Sequence, residues 1–235
     1  MKPSTGQQNS PKPVAAKGKP SSKGVVPFLI SCVGISPMLQ NPMTDETLDE
    51  LIYGSQGRRK PPKTDVSIED IAKKRLCLGP NGEYGVPANY LFAALVDAGR
   101  HVIFDKKTKI STAKTSLVPN LLTIVAELVD EFGDGFLPFK DQKVKWIADK
   151  RRGVLAANGA AVAIVRPKFP TWAFDVTVEV NLDDIAIEKV QELFKKAGQY
   201  SGLGDFRPSK RGPFGRFGVS QLIELEQQAG DKVAA

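Results

Sequence analysis

Four cations, Arg207, Lys210, Arg211 and Arg216, fall within one short stretch punctuated by Gly202, Gly204, Gly212 and Gly215. Guanidinium and ammonium groups donate to phosphate oxygens. Glycine lets a backbone approach a partner closely or adopt positive φ. Phe206 adds a flat ring of the kind on which a base stacks. The chemistry implied is the holding of a phosphate-bearing polymer; a solvated surface loop is the plainer alternative. A second basic cluster, Arg58, Arg59, Lys60 and Lys63, follows Gly54 and Gly57 and reads as a flexible clamp for phosphates. In a third, Lys143, Lys145, Lys150, Arg151 and Arg152 surround Trp146. Cations interleaved with an aromatic suit a single strand, while a tryptophan tucked into the core beside a charged loop suits the same residues.

Residues for catalysis or metal binding are few. His101 is the chain's one histidine, near the end of a helix, where a cation is favoured by the dipole. It is a weak catalytic candidate, because general acid–base chemistry needs a partner that the sequence does not identify. Cys32 and Cys77 are the only cysteines and have no metal-type spacing. No disulfide framework, metal or cofactor is expected. The net charge of +7 is uneven: Lys2, Lys12, Lys17, Lys19 and Lys23 supply five of it within residues 1–24, which contain no acid. A basic tail on a near-neutral body points to a polyanionic partner. With no apolar run of secretory or membrane-spanning length, the expected location is the cytoplasm and no membrane partner is expected.

These residues need a scaffold. Residues 1–24 are too polar to offset the entropy of ordering and read as a disordered tail, and 229–235 as a flexible one. Val25 to Ile35 is a continuous apolar run, a central strand buried on both faces. Asp45 to Tyr53 predicts a short helix, and Ser67 to Lys74 another, capped by Ser67 with Asp70 at N3. Asn81-Gly82 predicts a small hairpin between Leu78 and Tyr84. Ala88 to Val102 has helical apolar spacing at Leu91, Phe92, Leu95 and Val96. Residues 105–160 are undecided; Leu117 to Phe132 fits helix or strand. Ala161 to Val165 predicts a strand and Arg166 to Thr171 a turn. Trp172 to Val180 alternates strictly and predicts a strand paired with its predecessor. A helix from Asp183-Asp184 to Ala197 should stop at Gly198, and Phe214 to Leu225 makes the last strand. The order predicts an α+β, ferredoxin-like (split βαβ, RRM-like) antiparallel sheet with two helices. It forms a single domain, 25–228, with long insertions at about 36–86 and 104–160.

Four features carry a resemblance to a known family. The first strand exits through Ile35-Ser36-Pro37-Met38-Leu39, and Val86-Pro87-Ala88-Asn89-Tyr90-Leu91-Phe92-Ala93-Ala94-Leu95 opens the first helix. A strand pair precedes the second helix, and Gly202-Leu203-Gly204 through Gly212, Gly215 and Phe217 precedes the last strand. Together these resemble the RAMP superfamily of CRISPR-associated proteins, ferredoxin-like RNA binders with a glycine-rich loop in that position. The Ile-Ser-Pro and Gly-Leu-Gly-Asp-Phe-Arg-Pro runs also look like those of uncharacterised phage-encoded proteins. Val96 stands where the family has a basic residue, and the Asp205 to Pro208 insert is unusual for its loop. The resemblance implies a non-catalytic protein that holds single-stranded RNA, or DNA, and assembles with copies of itself or with other subunits of a ribonucleoprotein. Two alternatives remain open. One is a RAMP-type endoribonuclease using His101 with a tyrosine or lysine; the other is a phage structural or assembly protein that binds no nucleic acid.

Overall fold

The computed structural model describes residues 24–43, 45–54, 66–131, 133–154 and 159–226. In chain order the elements are β1 (Val25–Gly34), β2 (Met38–Leu39), α1 (Asp45–Tyr53), α2 (Ile68–Lys73), β3 (Gly85–Pro87) and α3 (Ala88–Ala98). Then follow β4 (Ile103–Asp105), β5 (Thr108–Lys109), α4 (Val118–Leu121), β6 (Leu122–Val125), β7 (Leu128–Val129), β8 (Gly135–Pro138), β9 (Ile147–Val154) and β10 (Ala161–Phe169). The chain closes with β11 (Ala173–Asn181), α5 (Ile187–Lys196) and β12 (Phe217–Glu224). The molecule is mixed α+β, with antiparallel sheets and two main helices, α3 and α5.

The main sheet has the order β12-β1-β11-β6. Strand alternation explains which residues it buries. Phe28, Ile30 and Cys32 of β1 stand opposite Val178, Val176 and Phe174 of β11, and all six are buried. They share one core with Leu91, Leu95 and Ala98 of α3 and with Val190, Leu193 and Phe194 of α5. Each large apolar side chain so buried contributes roughly 1.5–3 kcal/mol. The alternate β1 and β11 positions carry Ser31, Asp175, Thr177 and Glu179. Ser31 donates to Asp175 at 2.5 Å, and Lys140 reaches that carboxylate at 2.7 Å. A smaller sheet, β2-β10-β9, carries Lys150, Arg151, Arg152, Arg166 and Lys168.

Several expectations change. The strand from Ala161 does not pair with Trp172 to Val180: β11 pairs with β1 and β6, and β10 with β9 and β2. The main sheet's second strand in sequence is instead β6, from the stretch that fitted helix or strand, and both are present there as α4 and then β6. The expected turn from Arg166 is strand as far as Phe169, despite Pro167. Pro167 accepts from Gln40 N with its carbonyl, so its missing N–H lies on the β2 side, where β2 pairs only with Lys168 and Phe169. The second helix starts at Ile187, because Asp183 and Asp184 lie in a turn held by Asn181. Gly198 does not end that helix; it sits inside a π-helical turn, Ala197–Ser201. The Ser67 cap is present, with Asp70 N donating to its hydroxyl at 3.0 Å, as is the pairing of Leu78 with Tyr84. Among the described residues no helix is long and apolar enough to cross a membrane.

Candidate nucleic-acid interface

The glycine-rich stretch begins where the π turn hands over to Gly202, whose N–H donates to Ala197 O at 2.8 Å. A side chain at Gly198 would lie 1.9 Å from Phe217 O, which explains the glycine there. Leu203 is buried and donates to Gly215 O, and Asp205 N donates to Leu39 O at 2.7 Å. Gly215 N reaches Pro37 O at 2.8 Å, and Ile35 N reaches Arg216 O at 2.7 Å. Ser36 ties the arrangement further, its hydroxyl accepting from Arg216 N and its carbonyl from Trp172 Nε1. The glycines thus make room for the chain's own backbone. Gly215, at φ +69, would place a Cβ 1.8 Å from Leu203 O. The result is a latched loop, and ligand chemistry falls to its side chains.

Phe206 holds φ 48, a left-handed conformation rare for an aromatic residue, and is 38% exposed. Its ring lies 6.1 Å from that of the buried Phe214. Arg151 of β9 covers Phe214 at 4.6 Å in a cation–π contact. Asp149 bonds Arg151 at 2.5 Å and meets Lys168 at 3.6 Å. The Arg151 hydrogen bond, foremost among these contacts, holds the Asp149 carboxyl below its usual range. Arg166 and Asp205 pair at 2.7 Å, their side chains 12% and 28% exposed, and the approach is not aligned as a hydrogen bond. This pair joins the loop to β10.

Arg207 donates to Gly204 O at 2.8 Å and to Ser209 at 3.0 Å, so it is half-buried and partly engaged. Lys210, Arg211 and Arg216 are exposed, and among the described residues their side chains have no hydrogen bond or ion pair. With Asp205 neutralised by Arg166, the loop surface is positively charged.

The remaining candidates do not gather here. Arg152 alternates to the face of β9 opposite Arg151. Trp146 is half-buried and lines a groove with Glu69, Asp70 and Lys73, where two carboxylates disfavour a phosphate chain. Arg58, Arg59, Lys60 and Lys63 lie outside the described residues, as do the tail lysines up to Lys23. His101 stacks on Tyr200 with ring centroids 4.5 Å apart, and Lys196 lies 5.2 Å from the Tyr200 ring. Among the described residues no cluster could hold a metal ion.

Reasoning from sequence missed Arg166 and Asp149 as neighbours of the loop, and Tyr200 as the neighbour of His101. Had β9 been recognised, alternation would have grouped Asp149 with Arg151; nothing in the sequence signalled the pairing of Arg166 with Asp205. No protein-family model matches the chain, and no curated protein matches it.

Proposed function

We propose that the chain is a non-catalytic nucleic-acid-binding protein of RAMP type, which holds a single strand, RNA ahead of DNA, against the 202–216 loop. The observation that carries this reading is the set Lys210, Arg211 and Arg216, exposed and without side-chain partners, beside a partly exposed Phe206. In mechanism, the cations bind phosphates and offset their charge, while the Phe206 ring stacks on a base, a contact worth about 1–3 kcal/mol. A ferredoxin-like core belongs to the same reading. It is supported by the order β12-β1-β11-β6, with α3 between β1 and β6 in the chain and α5 between β11 and β12. The β1–β11 face bearing Asp175 and Glu179 is a poor platform for a polyanion, so the loop side is preferred. Assembly with further copies or other subunits along the strand is the remaining element of the proposal.

Purification with and without nuclease tests this directly. Co-purifying RNA of uniform length is expected for a subunit of a guide-bearing complex. A protein free of nucleic acid that also binds no added oligonucleotide overturns the reading.

A second reading, endoribonuclease, has one observation in its favour: Tyr200 stacks on His101, and Lys196 lies against the Tyr200 ring. An imidazole can shuttle the proton of a 2′-hydroxyl, and a phenol or ammonium can assist the leaving oxygen. Incubation of labelled RNA with the wild type, His101→Ala and Tyr200→Phe decides it. Cleavage lost in both variants supports this reading, and intact RNA throughout rejects it.

A further inference from the structure

A small cavity lies behind the loop, where the exit from β2, the first turn of α3 and Arg207 meet; its volume is about 110 Å³. That is room for roughly four waters at about 30 Å³ each. It is well below the 300 Å³ or more of typical small-molecule pockets, so it suits one planar ring and excludes a whole nucleotide. Val86 and Cys77 give it an apolar floor, and burial pushes the Cys77 thiol up to about 12, so the floor carries no charge. Tyr90 supplies an aromatic wall; burial, foremost, raises its hydroxyl pKa and keeps it protonated.

The polar lining offers both donors and acceptors. Gln40 is buried and fixed, donating to Gly85 O at 2.8 Å and accepting from Cys77 N at 2.9 Å. Each end of that amide keeps one further hydrogen-bonding position. Asn41 accepts from Arg75 through its oxygen, which leaves its NH₂ to donate. Arg207 uses two of its five N–H groups within the protein. Asp205 lines the same space with its charge offset by Arg166, so its oxygens stand as acceptors beside the Arg207 donors. A neutral ring with donors and acceptors along one edge matches such a lining.

We propose that this cavity receives the ring of one unstacked base of the bound strand, with Tyr90 against its face and Asn41, Gln40 and Arg207 along its edge. The inference rests on the single-strand reading above and adds base discrimination to it. Arg207 follows Phe206 directly, so a strand stacked on Phe206 passes the cavity mouth. A site with donors and acceptors rejects bases that leave them unpaired.

The test is anisotropy of the full-chain protein with labelled oligomers of U, C, A and G and with an abasic ribose-phosphate oligomer. One base is expected to bind about 3–10-fold more tightly than the others, the worth of one or two net hydrogen bonds. Asn41→Leu and Tyr90→Leu should each level that preference while leaving the salt dependence of binding unchanged. Phe206→Ala should weaken all four base-bearing oligomers alike. Equal affinity of the wild type for all four, or a preference that survives both variants, overturns the cavity proposal and leaves the loop reading standing. Absence of binding to every oligomer overturns the loop reading, and the cavity proposal with it. Should the variants fail to fold, saturation-transfer NMR on the wild type with four free nucleosides, against ribose alone, decides the same question. Transfer to one nucleoside above the rest supports the cavity, and equal or absent transfer rejects it.

Discussion

Phe206 is held in a backbone conformation that costs of order 1–3 kcal/mol for a residue other than glycine, yet its ring is not buried in return. Phe206→Gly should therefore leave stability unchanged or higher in urea denaturation, while single-strand affinity falls by about 1–3 kcal/mol. Unchanged affinity would remove the stacking role. Gly215 is the converse case. Gly215→Ala combines left-handed strain with overlap on Leu203 O, and a loss of about 2–4 kcal/mol is expected; a loss below about 1 kcal/mol would contradict the close packing. Cys32 and Cys77 carry a pH signature. Burial above all raises Cys32 to about 12, with Asp175 adding and Lys140 opposing, and burial raises Cys77 to about 12. Above about pH 9 the unfolded thiols release protons that the folded ones keep, so stability should fall as pH rises from about 9 to 12. Urea midpoints of the wild type and of Cys32→Ala/Cys77→Ala across that range check it, since the variant should lose the slope specific to the thiols. At this scale the sequence was legible for type and blind to neighbours. The cationic and aromatic character of 202–216 could be read directly. That Gly204 packs against Leu39 O depends on a segment distant in the chain.

The loop and the β9–β10 hairpin form one unit through Arg166 and Asp205. Removing one partner of a largely buried pair leaves the other uncompensated. Arg166→Met should cost about 2–3 kcal/mol, less than a fully buried pair because Asp205 is 28% exposed. Arg166→Met/Asp205→Leu should recover part of that loss. A double-variant loss equal to the sum of the two single losses would mean that the pair does not couple the elements. Isolated periodic elements were readable, as with β11, α3 and α5. The hairpin was not, because Lys150 to Arg152 carries no apolar alternation and Pro167 reads as a breaker. Its strand character comes from pairing Ala161 through Lys168 with Val154 through Ile147, a property of two segments together. The same reasoning covers α4 and β6: helix and strand signals overlapped between Leu117 and Phe132, and the structure uses each in turn.

For the whole molecule, the 202–216 loop presents Lys210, Arg211 and Arg216 exposed and without side-chain partners among the described residues, while the β1–β11 face opposite the core carries Asp175 and Glu179. The sequence conveyed an α+β chain with two main helices. It did not convey which strand entered the main sheet, since a short apolar run such as Ala161 to Val165 satisfies either sheet. The central claim is that the loop cations hold phosphates. It is tested most directly by the salt dependence of single-strand RNA binding, measured by anisotropy. The full chain should carry Lys2, Lys12, Lys17, Lys19 and Lys23 as glutamines, so that the tail does not contribute. Three phosphate contacts from Lys210, Arg211 and Arg216, at about 0.7 each, predict a log–log slope of about −2. Adding Lys210→Gln, Arg211→Gln and Arg216→Gln should bring the slope close to zero, with a large loss of affinity at low salt. The same slope and affinity with and without those three cations, or no binding even at low salt, would contradict the account.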